Sequence, residues 1–90
     1  MSEMTSSQLN TFSDEIILNS QKIKNNASQL QDTSKLMASV IQCGDVAEQL
    51  QSVMSNVATT LEDVGDQMNR VGIAAREAAE LQKNREVLGV

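Results

Sequence analysis

The chain contains no proline, tryptophan, tyrosine or histidine, one phenylalanine (Phe12) and one cysteine (Cys43). With no proline, nothing in ninety residues forces an α-helix to break. The near-absence of aromatics, beside many serines, glutamines and asparagines, predicts marginal stability unless a partner completes the core. A lone cysteine forms no intrachain disulfide, and Cys43 reads as a small apolar residue. With no histidine or tyrosine, and no base beside Cys43, no nucleophilic or acid–base constellation is available. We therefore expect no enzyme activity, no cofactor and no metal. The carboxylates Glu62, Asp63 and Asp66, and Glu77 with Glu80, read as a solvated helix face, and the first three do not match a calcium loop. A net charge of −5 argues against nucleic acid and anionic membranes, which select basic patches. No apolar run approaches a membrane span, and the first fifteen residues are too polar for a cleavable leader.

What the chain does have is a seven-residue beat. In the first half it runs through Leu9, Ile16, Ile23, Leu30 and Met37, with Ser13, Ser20, Ala27, Ser34 and Ile41 interleaved four residues behind. Large and small residues alternate along that seam, which lets two backbones approach on the small side. In the second half, Leu50, Val57, Val64, Val71 and Ala78 recur with Ala47, Met54, Leu61, Met68 and Ala75. Valine alternating with leucine or methionine over four heptads predicts a coiled-coil-like seam. A further column, Ala58, Gly65, Gly72 and Ala79, lies beside it. Each mid-helix glycine costs roughly 1 kcal/mol relative to alanine, so close approach of another helix at that column is the expected compensation.

Between the halves lies Ile41-Gln42-Cys43-Gly44-Asp45-Val46. Glycine is favoured just past a helix C-terminus, where the chain turns left-handed. Asp45 with Glu48 three residues on has the form of a capping box. Cys43, Gly44 and Asp45 are thus the expected turn. One continuous helix with a tolerated glycine is the alternative, but it would leave both seams in water.

The expected fold is all-α: a single domain over 1–90, an antiparallel two-helix hairpin with helices at about 7–42 and 46–85 and frayed termini. Pairing of two hairpins into a four-helix bundle would cover what each leaves wet. The expected hairpin core is Leu9, Ile16, Ile23, Leu30, Met37, Leu50, Val57, Leu61, Val64, Met68 and Val71. The column Ala58, Gly65, Gly72 and Ala79 is the expected partner face. On that reading, leucine at both Gly65 and Gly72 abolishes partner binding and spares helicity.

A helical chain of this length, turning in its middle at Gln42-Cys43-Gly44, resembles the WXG family of small proteins exported by bacterial type VII secretion. The glycine of that family's Trp-x-Gly turn is matched by Gly44; Gln42 stands at the tryptophan. The family's Tyr-x-x-x-acid export signal has its nearest counterpart in Ile73-x-x-x-Glu77. With tryptophan and tyrosine absent, the chain is more similar to the LXG-associated α-helical proteins. That resemblance implies a non-enzymatic partner that binds the helical N-terminal domain of an LXG toxin, or a homodimer, and assists targeting for export. It implies a bacterial cytoplasmic protein that leaves, if at all, without a cleaved signal peptide, with Ile73 and Glu77 as the export signal. A self-assembling subunit of a secretion needle or filament, and a secretion chaperone, are the competing readings.

Overall fold

A computed structural model describes residues 4–40 and 44–89. They form two helices, α1 (Ser6–Val40) and α2 (Gly44–Val87), which pair antiparallel as an all-α hairpin. No strand occurs among the described residues. Ile41 to Cys43, with the expected turn residue Cys43, lie outside them.

The start of α1 is set by a capping box. Gln8 N donates to Thr5 Oγ1 (3.1 Å), and Thr5 N donates to Gln8 Oε1 (2.9 Å). Two backbone donors that a helix start leaves orphaned are thereby satisfied reciprocally. At the other extreme, α2 closes with Leu88 N donating to Asn84 O and Gly89 N to Glu86 O, and Gly89 takes φ 79°. That left-handed residue is where glycine is required.

Gly44 behaves differently from its expected role. It is the first residue of α2, its φ is not positive, and Asp45 lies inside the first turn. The chain therefore enters α2 before the expected turn at 43–45 ends. Glycine is acceptable at a helix start, and an aspartate in the first turn complements the positive end of the helix dipole.

The hairpin divides into two compact units, 1–20 with 66–90 and 21–65. Each holds a stretch of α1 against a stretch of α2. In the first unit, Glu86 of α2 reaches the beginning of α1, accepting from Ser6 N (3.0 Å) and Ser6 Oγ (2.7 Å). These bonds, the backbone one foremost, hold the Glu86 carboxyl below its ordinary pKa. A depressed carboxyl stabilises the fold above its unfolded pKa, and that contribution disappears as pH falls through the lowered folded value. Glu86→Gln is expected to flatten the acid limb of a stability–pH profile measured by urea denaturation. An unchanged acid limb would count against this tie.

Candidate interaction surface

The seam between the helices is made of their smallest residues. In the first unit Ser13 and Ser20 of α1 are buried, as are Gly72, Ala75 and Ala79 of α2. In the second unit the buried residues are Ala27 and Ser34 of α1 and Ala47, Ala58 and Gly65 of α2. Small side chains at a helix contact let the backbones come close, and Gly72 shows how close. A Cβ built there would fall 2.5 Å from Ile17 Cγ1 and 3.3 Å from the backbone oxygen of Ser13. Across the same gap Ser13 Oγ donates to Gly72 O at 2.6 Å, with Ser13 fully buried. A neutral bond of this kind contributes about 1 kcal/mol net, and more importantly fixes the register of the two helices. Ser20 satisfies its hydroxyl on its own helix, donating to Ile17 O at 2.7 Å. No buried side-chain N or O atom among the described residues lacks a partner.

This arrangement corrects the expected division of faces. Ala58, Gly65, Gly72 and Ala79 are buried against α1 and are not open to a guest. Conversely Val57, Val64 and Val71, expected in the core, are 45%, 41% and 51% exposed. Of the other expected core residues of α2, Leu50, Leu61 and Met68 are half-buried, and in the column of Leu61 and Met68 so is Met54, while Ala47 and Ala75 are buried. On α1 the expected core residues Leu9, Ile16, Ile23, Leu30 and Met37 are all half-buried. The helices meet at the small columns because that contact permits the shortest separation, and the larger aliphatics then flank it.

The two flanks of each seam differ in chemistry. Each residue advances an α-helix by about 100°, so neighbours of a seam residue fall predictably to one side or the other. In the first unit the polar flank carries Asp14 and Arg76, joined by an ion pair of 3.3 Å between two largely exposed side chains. Such a pair is worth little energetically, but it marks the side. The opposite flank carries Leu9, Phe12 and Ile16 from α1 and Met68, Val71 and Ala78 from α2. A groove of about 430 Å³ opens there, lined by Met4, Leu9, Ala78, Leu81, Gln82 and Arg85. Glu15 and Arg85 are the charged residues whose helical positions fall on that side.

The second unit repeats the pattern. Its polar flank has Gln31 Nε2 donating to Glu62 Oε1 (3.3 Å) and a groove lined by Gln31, Ser34, Lys35, Gln51 and Ser55. Its aliphatic flank has Ile23, Leu30 and Met37 facing the same way as Leu50, Met54, Val57, Leu61 and Val64, with Val53 beyond them. Lys22 is the one charge whose position falls on that side. In both units, then, most carboxylates and cations lie away from the side that carries the larger aliphatics.

Ile73 and Glu77 lie one turn apart on α2 within the first unit, both exposed, with Ile73 44% accessible. They stand clear of the seam. Among the described residues no group of three or more histidine, cysteine, aspartate or glutamate side chains could hold a metal ion. Nor is any helix among them long and apolar enough to cross a membrane.

Sequence reasoning missed the interactions that fix the helix start and the helix pairing. The Thr5–Gln8 box was readable from its Thr-x-x-Gln spacing. The Ser13–Gly72 and Ser6–Glu86 bonds join residues 59 and 80 positions apart and have no local signature. No known protein family, curated protein or solved structure matches the chain.

Proposed function

We propose that this chain is a non-enzymatic helical partner protein whose aliphatic flanks, one in each unit, pack against the helical N-terminal domain of a type VII secreted toxin, and that it assists the toxin's targeting for export. The observation that supports this reading is the exposed aliphatic flank in each unit, from which charge is nearly absent. Interface cores are depleted of charge in the same way, and a contiguous exposed apolar patch commonly marks a protein-binding site. Helices present such side chains naturally to other helices, as ridges into grooves. The type VII assignment rests on the resemblance in length, heptad beat and the Gln42-Cys43-Gly44 region. Ile73 and Glu77, exposed and one turn apart, are the residues we assign to the export signal. On this reading the chain acts in a bacterial cytoplasm before export.

Co-expression with the helical N-terminal domain of a neighbouring toxin, followed by pull-down, tests the proposal. The unmodified chain is expected to co-purify, Val57→Asp with Val71→Asp to lose the toxin domain, and Glu80→Lys on the polar side to retain it. Failure of the unmodified chain to retain any such domain would remove the toxin reading. Retention by the double aspartate variant would remove the face.

A further inference from the structure

We infer that the polar groove of the second unit is a docking point for a carboxylate side chain, an aspartate or glutamate carried on a partner helix. It lies on the flank opposite the aliphatic one and owes nothing to the toxin, so the two readings fail separately.

The first observation is Ser34. It stands in the small column of α1 with Ser13, Ser20 and Ala27, and it is only 7% exposed. Ser13 and Ser20 place their hydroxyls on Gly72 O and Ile17 O. Ser34 makes no hydrogen bond among the described residues. Every fully enclosed side-chain oxygen there has a partner, so the Ser34 hydroxyl is not enclosed; the groove is where it opens. Ala27 fills the same column without a hydroxyl, so the seam does not ask for serine at 34. A polar group withdrawn from water and given no partner is costly, and an acceptor arriving from outside relieves that cost.

The second observation is charge. The groove, about 310 Å³, is an open trough lined by Gln31, Ser34 and Lys35 of α1 and Gln51 and Ser55 of α2. Lys35 is its one charged lining residue and forms no ion pair among the described residues. Two carboxylates stand near in helical position: Glu62, which accepts from Gln31, and Glu48, one turn before Gln51 on α2. One cation bordered by negative charge suits a monoanion better than a dianion such as phosphate. A carboxylate is a planar monoanion with two acceptor oxygens, one for the Lys35 ammonium and one for the Ser34 hydroxyl, with Gln51 and Ser55 as further donors. A trough between two helices receives such a group most readily from a third helix laid along it.

Nuclear magnetic resonance titration of the isotope-labelled full chain tests this, with an alanine- and glutamine-based helical peptide bearing one glutamate as the probe. The expected result is saturable movement of the Ser34, Lys35, Gln51 and Ser55 amide signals. The same peptide with glutamine for the glutamate is expected to bind about tenfold more weakly, as is the glutamate peptide to Lys35→Gln. No movement, equal movement with both peptides, or indifference to Lys35→Gln overturns the inference. So does acetate binding as tightly as the peptide, which would make a free carboxylate the occupant. Urea denaturation adds a second readout. Ser34→Ala is expected to weaken peptide binding yet leave the stability of the hairpin unchanged, whereas Ser13→Ala, which loses the bond to Gly72 O, lowers it. Equal loss of stability at both serines overturns the inference, because the Ser34 hydroxyl would then be serving the fold.

Discussion

Gly72→Leu is expected to part α1 from α2 in the unit that contains it, and Gly72→Ala to be destabilising already. By helix propensity alone alanine should help by about 1 kcal/mol. Against that gain stands a methyl group placed 2.5 Å from Ile17 Cγ1 and 3.2 Å from its Cδ1. Ile17 is β-branched and stiff in a helix, so it cannot swing away at little cost. The backbone oxygen of Ser13, 3.3 Å from the new methyl, cannot move without shifting α1 itself. Such overpacking costs typically 1–3 kcal/mol, so alanine should lose about 1 kcal/mol on balance, or several degrees in Tm for a chain of this size. Leucine brings three more carbons into the same gap and breaks the 2.6 Å Ser13–Gly72 bond as the backbones separate. Leucine at Gly65 and Gly72, expected from the sequence to abolish partner binding and spare helicity, should instead disturb the hairpin itself, because both glycines are buried at its seam. Urea denaturation followed at the helical circular dichroism band measures the loss. Ile17→Ala should recover part of the alanine variant's deficit, because it removes the nearest clash. A Gly72→Ala protein more stable than the unmodified chain would mean that the helices do not approach at this point.

The two helices were legible because they depend on local pattern. A seven-residue beat without proline admits little else, and the interruption near Gly44 divides the chain where α2 begins. Which face each helix turns inward was only half legible. On α1 the small column Ser13, Ser20, Ala27 and Ser34 already implied close approach. On α2 two adjacent columns competed, one of valines and one of glycines and alanines. Hydropathy favours burying the valines, and the expected core includes them. The structure instead matches small column to small column. Two helices settle at the separation their smallest facing residues allow, and bulkier neighbours then pack alongside. A glycine column on one helix and a serine–alanine column on the other were evidence for each other. Read together, they would have located the seam. The polar ties at Ser6–Glu86 and Asp14–Arg76 join residues distant in sequence, and no periodicity encodes them.

Neighbouring substitutions at Val57 and Ala58 should differ in how their effects depend on a bound partner. Ala58 is fully buried at the seam of the second unit. Ala58→Leu adds three carbons where none fits, with an expected loss of about 2 kcal/mol from overpacking. That loss belongs to the hairpin itself and should appear with or without a partner. Val57, 45% exposed, contributes less to the lone hairpin, and Val57→Ala there should cost roughly 0.5 kcal/mol. When the proposed toxin domain covers that side the same truncation removes methyl groups from a packed contact. Its cost must then grow with the concentration of that domain, because a bound partner stabilises the folded chain by mass action. Denaturation midpoints measured without and with the domain separate the two residues. The Ala58→Leu deficit should stay constant while the Val57→Ala deficit widens. The reverse assignment of faces makes the opposite demand: Ala58→Leu would leave the lone hairpin intact, and Val57→Ala would destabilise it equally with and without the domain. A single pair of titrations therefore decides which column of α2 faces α1 and which faces away from it.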